Sequence, residues 1–92
     1  MDGVTQESFD AWSADHPEWQ RDGENISRTR RCDSFAAAVG FVASVGVLAD
    51  VADHHPDIDI RYRNVMLTLT THDAGFLTQK DLDLADAIDG LP

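Results

Sequence analysis

The chain has 92 residues, one cysteine and a formal net charge of −10, with aspartate dominating the acidic side chains. That length suits a single small domain spanning residues 1–92 with a modest core, so self-association is a natural further source of stability. So acidic a surface repels nucleic-acid phosphates and argues against direct nucleic-acid binding, while the lone Cys32 leaves no internal disulfide and suits a reducing cytoplasm.

The first twelve residues have neither a basic start nor an apolar run, so no signal peptide is expected. Thr5, with Glu7 and Ser8 behind it, can start a short helix carrying Phe9 and Trp12 on one side; His16-Pro17 ends it. Asp22-Gly23 is a tight-turn dipeptide, which predicts a hairpin with arms Trp19–Arg21 and Asn25–Arg31. Ile26 is the one clearly inward residue of the second arm. Arg28, Arg30 and Arg31 cluster there, and the expected role is pairing with carboxylates of the same or a neighbouring subunit.

Asp33 or Ser34 caps a long helix. Phe35, Val39, Val42, Gly46 and Ala49 recur along one stripe, and Ala38, Phe41, Val45, Leu48 and Ala52 along a second, so cover from two sides is expected. Gly40 and Gly46 each cost about 1 kcal/mol of helix propensity relative to alanine, for which close packing is the expected compensation. No segment is expected to reach membrane-spanning length. His55-Pro56 stops the helix. Ile58, Ile60 and Tyr62 then alternate with Asp57, Asp59 and Arg61, a half-buried strand. A turn at Arg63-Asn64 leads to a strand with Val65, Leu67 and Leu69 on one face and Met66, Thr68, Thr70 and His72 on the other. Thr78-Gln79-Lys80-Asp81 has the form of a capping box and opens a last helix, which Gly90 and Pro92 end.

Helix, hairpin, helix, hairpin, helix predicts an α+β fold: a four-stranded antiparallel sheet with helices packed on one face. No repeat or second domain interrupts it.

Three of the four histidines fall between His54 and His72. Histidine titrates nearest neutrality, so a convergent group points to proton transfer at physiological pH. The same residues, His54-His55 and His72 with an aspartate nearby, are also the types that ligate zinc or non-haem iron. Adjacent histidines in an extended segment point to opposite faces, which makes joint ligation awkward, and no metal is expected. The spacing Asp50-x3-His54-His55-Pro56-x5-Tyr62-x9-His72-x8-Asp81 resembles the signature of the pterin-4a-carbinolamine dehydratases. The likeness continues through Asp57–Tyr62 and Leu67–Asp73 and covers the chain from Trp19 onward.

The resemblance implies dehydration of a 4a-hydroxytetrahydropterin to quinonoid dihydropterin, with no cofactor beyond the pterin substrate. It places the catalytic histidines at His54, His55 and His72. We expect His54 and His72 to be the acid–base pair and His55 to position the pterin. Asp50, one helical turn before His54, and Asp81 are the expected supporting carboxylates; Asp81 also fits a plain helix cap. Tyr62 and Phe76 are expected at the substrate, Phe76 reshaping the pocket rim in place of a small residue, although Tyr62 also fits a core position. The resemblance further implies a homodimer or homotetramer serving an aromatic amino acid hydroxylase, while composition and charge lead us to expect a cytoplasmic protein without membrane or direct nucleic-acid contact. Its alternative is an interaction module on the same fold, acting as an assembly or dimerisation cofactor.

Overall fold

The computed structural model describes residues 2–92. Its elements run α1 (Gln6–Ser13), β1 (Gln20–Asp22), β2 (Asn25–Arg31), α2 (Phe35–Ala52), β3 (Asp57–Arg61), β4 (Asn64–Leu69) and α3 (Gln79–Asp89). Each hairpin forms from its own turn. The sheet closes when β4 of the second hairpin pairs with β2 of the first, giving one antiparallel sheet ordered β1-β2-β4-β3. The expected class and layering hold.

Alternation decides which face the helices cover. Ile26, Val65, Leu67 and Leu69 form the inward row and have no solvent exposure, with Ile26 opposite Leu69 in the register. On the other face Met66, paired with Thr29, is exposed. Burying one such aliphatic side chain stabilises by about 1.5–3 kcal/mol, so a one-residue register slip is strongly disfavoured.

Both turns fall one residue away from the expected positions. Asp22 stays in the ladder opposite Asn25, so Gly23 and Glu24 make the first turn, and Gly23 supplies the positive φ of 62°. In the second hairpin Arg61 pairs with Asn64, which leaves Tyr62 and Arg63 as the turn. Tyr62 takes a φ of 55° there, a left-handed conformation that costs a non-glycine residue about 1–2 kcal/mol.

Ser34 caps α2 by accepting the Ala37 N–H. Ala38, Phe41, Val45 and Ala49 bury one side of the helix, while Phe35, Val39, Val47 and Val51 remain exposed. Among the described residues of one chain nothing covers this second side. The expected close packing at the glycines is also missing: a Cβ on Gly40 or Gly46 would meet no atom within 4 Å. By length and composition alone α2 is apolar enough to cross a membrane, contrary to expectation, yet its buried side is part of the core of this α+β domain.

The arginine cluster divides. Arg28 pairs with Asp89 of α3, which also accepts the Trp19 indole N–H at 2.9 Å. Arg30 donates to the Pro92 carbonyl at 2.8 Å and lies over the Phe41 ring. Two of the three thus fasten the C-terminal end of the chain to the sheet.

α1 docks at both ends. Ahead of it, Gly3 bridges Thr78, and the Val4 N–H donates to the Leu77 carbonyl at 2.8 Å. Behind it, His16 stacks on Trp12 with ring centroids 4.1 Å apart. Its Nδ1 lies 2.9 Å from the Trp12 carbonyl oxygen and its Nε2 2.8 Å from Asp86 Oδ1. Both neighbours are acceptors, so the geometry calls for a proton on each nitrogen. Burial pulls the imidazole pKa down, but the Trp12 carbonyl and the Asp86 and Asp89 carboxylates outweigh it and hold His16 above the usual histidine value.

Candidate active site

The way α2 ends determines what the His-His-Pro segment does. The helix stops at Ala52, and Asp53 follows as a left-handed cap with φ 49°. Aspartate is one of the few residues that visits this region readily. The Asp53 and His54 N–H groups then reach back to the last helical carbonyls, those of Asp50 and Ala49, at 3.2 and 3.1 Å. This reversal sends the next two side chains to different places: His54 is buried and His55 is exposed. Pro56 prevents further helix, and β3 begins at Asp57, opposite Thr68 of β4. The segment leaving β4 therefore emerges beside the histidines.

That segment is not the strand end expected for His72. β4 stops at Leu69, and Thr71 bridges Phe76, so His72 sits in the turn between them. Gly75 N–H donates to the carbonyls of Thr71 and His72, and its φ of 79° closes the turn.

Asp53, His54, His55, Thr70, Thr71, His72, Asp73 and Lys80 line a cleft of about 200 Å³ at this end of the sheet. A second cleft of about 260 Å³, more apolar and running between α2 and α3, shares His54 and Lys80 with it. A larger cleft, about 370 Å³, lies elsewhere, beside Arg30, Phe41, Ser44 and Leu91, and is lined by no histidine. Chemistry rather than size therefore selects the histidine cleft.

His54 Nε2 meets Asp81 Oδ1 at 2.5 Å, and Asp81 has no solvent exposure. The carboxylate's other oxygen accepts the Thr71 hydroxyl at 2.8 Å and the Thr78 N–H at 2.9 Å. Asp81 thus completes the capping box of α3 and also meets a histidine. A carboxylate can only accept, so the proton on His54 belongs on Nε2, leaving Nδ1 as the nitrogen a bound molecule can use. His55 Nε2 meets Asp50 Oδ1 at 2.9 Å, but both side chains are largely in solvent, 59% and 82% exposed. Asp50 therefore supports His55 and not His54, because the Asp53 reversal swings His55 back along the helix. Among the described residues the His72 ring has no hydrogen bond within the chain. Nor do three or more His, Cys, Asp or Glu side chains converge there as a metal-ligand group.

Two expected substrate residues are not brought to the cleft within the chain. Tyr62 sits in the turn at the far end of the β3–β4 hairpin, 69% exposed. Five residues of strand, about 16 Å, separate it from Asp57. Phe76 lies where a Cβ on Gly3 would meet its ring at 3.2 Å, and it does not line the histidine cleft. It packs against the N-terminal segment, not the pocket rim.

Thr70, Thr71, Asp53, Asp73 and Lys80 line the cleft without having been singled out from the sequence. Adjacency was their available signal: Asp53, Thr71 and Asp73 flank a site histidine, Thr70 lies two residues before one, and Lys80, the chain's only lysine, precedes Asp81.

A buried imidazole held by a carboxylate, with two further histidines on the same open cleft, brings together groups that can give and take protons. The family model for pterin 4 alpha carbinolamine dehydratase matches residues 2–91. This chain belongs to that family, and the match begins well ahead of Trp19. A relative from Roseiflexus sp. (strain RS-1) is 59% identical over 71 residues, covering 77% of this chain and 76% of its own. Another, from Natronomonas pharaonis, is 51% identical over 73 residues, covering 79% of each. Both carry the name "Putative pterin-4-alpha-carbinolamine dehydratase". A crystal structure from Brucella melitensis, described as "transcriptional coactivator/pterin dehydratase", superposes with a TM-score of 0.89 at 28% identity, covering 96% of each chain.

Proposed function

We propose that this chain dehydrates a 4a-hydroxytetrahydropterin to the quinonoid dihydropterin by histidine acid–base catalysis. The observation that carries the reading is the buried His54–Asp81 pair facing a cleft shared with His55 and His72, in a chain of the dehydratase family. The reaction breaks the C4a–O bond as a proton reaches the departing hydroxyl, and the N5 proton leaves as the C4a=N5 bond forms. Water is the only by-product, and no electrons are gained or lost. The site must supply one proton and accept another.

Asp81 keeps the His54 proton on Nε2, so His54 Nδ1 offers its lone pair to N5–H. His72, without a hydrogen-bond partner among the described residues, is the group to protonate the hydroxyl, and His55 positions the ring. The second cleft, which shares His54 and Lys80 with the first, gives room for a substituent on the pterin. The pterin is substrate and no further cofactor takes part. The role that follows is tetrahydropterin recycling in the cytoplasm beside an aromatic amino acid hydroxylase.

The test is the absorbance decay of freshly generated 4a-hydroxytetrahydropterin. Wild-type protein is expected to accelerate it over the spontaneous rate, and His54→Ala and His72→Ala to lose most of that acceleration while remaining folded. A folded wild-type protein that leaves the decay at the spontaneous rate removes the reading.

One observation also favours association. Phe35, Val39, Val47 and Val51 expose an apolar face on α2 that a chain of net charge −10 would otherwise leave in water. We propose that copies of the chain meet through it as a homodimer or homotetramer. The same face suits an interaction role, a reading that the Brucella protein's description as a coactivator also supports. Sedimentation should show an oligomer that Val47→Asp with Val51→Asp dissociates; a wild-type monomer at every concentration contradicts the proposal.

A further inference from the structure

Asp81 needs its own support, and the buried hydroxyls beside it are placed to give it. Thr71 is 4% exposed, and Thr78 and Asp81 are wholly buried. Thr71 Oγ1 lies 2.8 Å from Asp81 Oδ2 and 2.6 Å from Thr78 Oγ1. A hydroxyl has one proton to give. The carboxylate only accepts, so the Thr71 proton goes to Oδ2, and Thr78 must then donate its own into the lone pair of Thr71. The hydrogen bonds run one way, from Thr78 to Thr71 to Asp81, and each donor polarises the next. With the Thr78 N–H also on Oδ2, that oxygen is fully engaged, and Oδ1 is left facing His54 Nε2.

We propose that Thr71 is a positioning residue: its hydroxyl fixes the Asp81 carboxylate so that His54 keeps its proton on Nε2 and presents Nδ1 to the cleft. Thr71 reaches this position because its bridge to Phe76 pins the backbone immediately before His72. One short turn thus carries both a cleft histidine and the support for the other. The catalytic consequence rests on the dehydratase reading; the hold on His54 does not.

The experiment compares Thr71→Val, which keeps the shape but removes the hydroxyl, with Thr71→Ser, which restores it. Nitrogen NMR of the imidazoles in the full-length protein reads the His54 tautomer without any substrate. Wild type and Thr71→Ser should show the Nε2–H form, and Thr71→Val a mixture with Nδ1–H. In the pterin decay assay Thr71→Val should lower kcat roughly tenfold to a hundredfold, the range for losing a hydrogen bond to a charged group, with KM held within about twofold. Thr71→Ser should recover most of that loss.

An unchanged His54 spectrum in folded Thr71→Val overturns the proposal, as does an unchanged kcat. Should Thr71→Val fail to fold, the serine variant decides: a His54 tautomer altered there, despite the restored hydroxyl, also overturns it. A wild-type protein inactive in the decay assay removes the dehydratase reading, and the spectrum then judges the positioning role alone.

Discussion

His54 and His55 are neighbours in sequence, and each has an aspartate as its partner, yet the two pairs are physically unlike. His54 meets an Asp81 that is buried entirely and held by two further donors. His55 meets an Asp50 that is 82% exposed on the last turn of α2. In the buried pair water cannot compete, so geometry fixes which nitrogen carries the proton. In the exposed pair water competes with the carboxylate, and little is fixed. Two similar contacts thus differ in consequence because one lies inside the helix–sheet layer and the other outside it.

The sharpest way to break this contrast is to remove each aspartate. Asp81→Ala strips the partner from a buried imidazole and undoes the α3 cap. Urea unfolding should record a loss of about 3–5 kcal/mol. Asp50→Ala should cost no more than about 1 kcal/mol, the range for exposed pairs. Equal losses would mean that burial does not separate the two pairs.

The third pair, His16 with Asp86, sharpens the comparison because it lies between these extremes, a mostly buried imidazole against an exposed carboxylate. Its folded pKa is raised above the unfolded one. Its stabilising contribution is therefore fully present below the unfolded value near 6.5 and is lost as pH rises through the higher folded value. With Asp86 so exposed, the effect should stay below about 1 kcal/mol. Thermal melts across that window should show wild type losing this increment with rising pH, and His16→Gln without that step; parallel pH profiles would show that the pair contributes nothing.

Much of this was legible in the sequence, and the failures share a cause. Alternation in β4, the capping box at Thr78 and the Ala38, Phe41 and Val45 stripe of α2 were readable because each is a local pattern that burial enforces. The half-buried pattern expected of β3 did not hold, since Ile58 is exposed and only Ile60 is half-buried at the sheet edge. The partner of each histidine was not. Asp50 lies four residues before His54, the natural helical spacing, but the left-handed Asp53 turns the chain and gives Asp50 to His55. One backbone angle made that decision. Tyr62 was misplaced in the same way: alternation carried the strand through it, and Asn64 drew the turn, whereas a left-handed tyrosine makes the turn instead. Thr71 was overlooked because a threonine after a strand looks ordinary until its hydroxyl is seen on a buried carboxylate. The resemblance pointed to the three histidines and Asp81, but which carboxylate meets His54 and which meets His55 came from the structure.

The central claim is that the buried pair, and not the exposed one, does the proton transfer. The most direct measurement is the decay of 4a-hydroxytetrahydropterin with His54→Gln and His55→Gln, each verified as folded. The account predicts a loss of about 10²–10⁴-fold in the enzymatic rate for His54→Gln, the range for a general acid or base. His55→Gln should lose much less and act mainly through KM. Equal losses in the two variants, or a fully active His54→Gln, would contradict it.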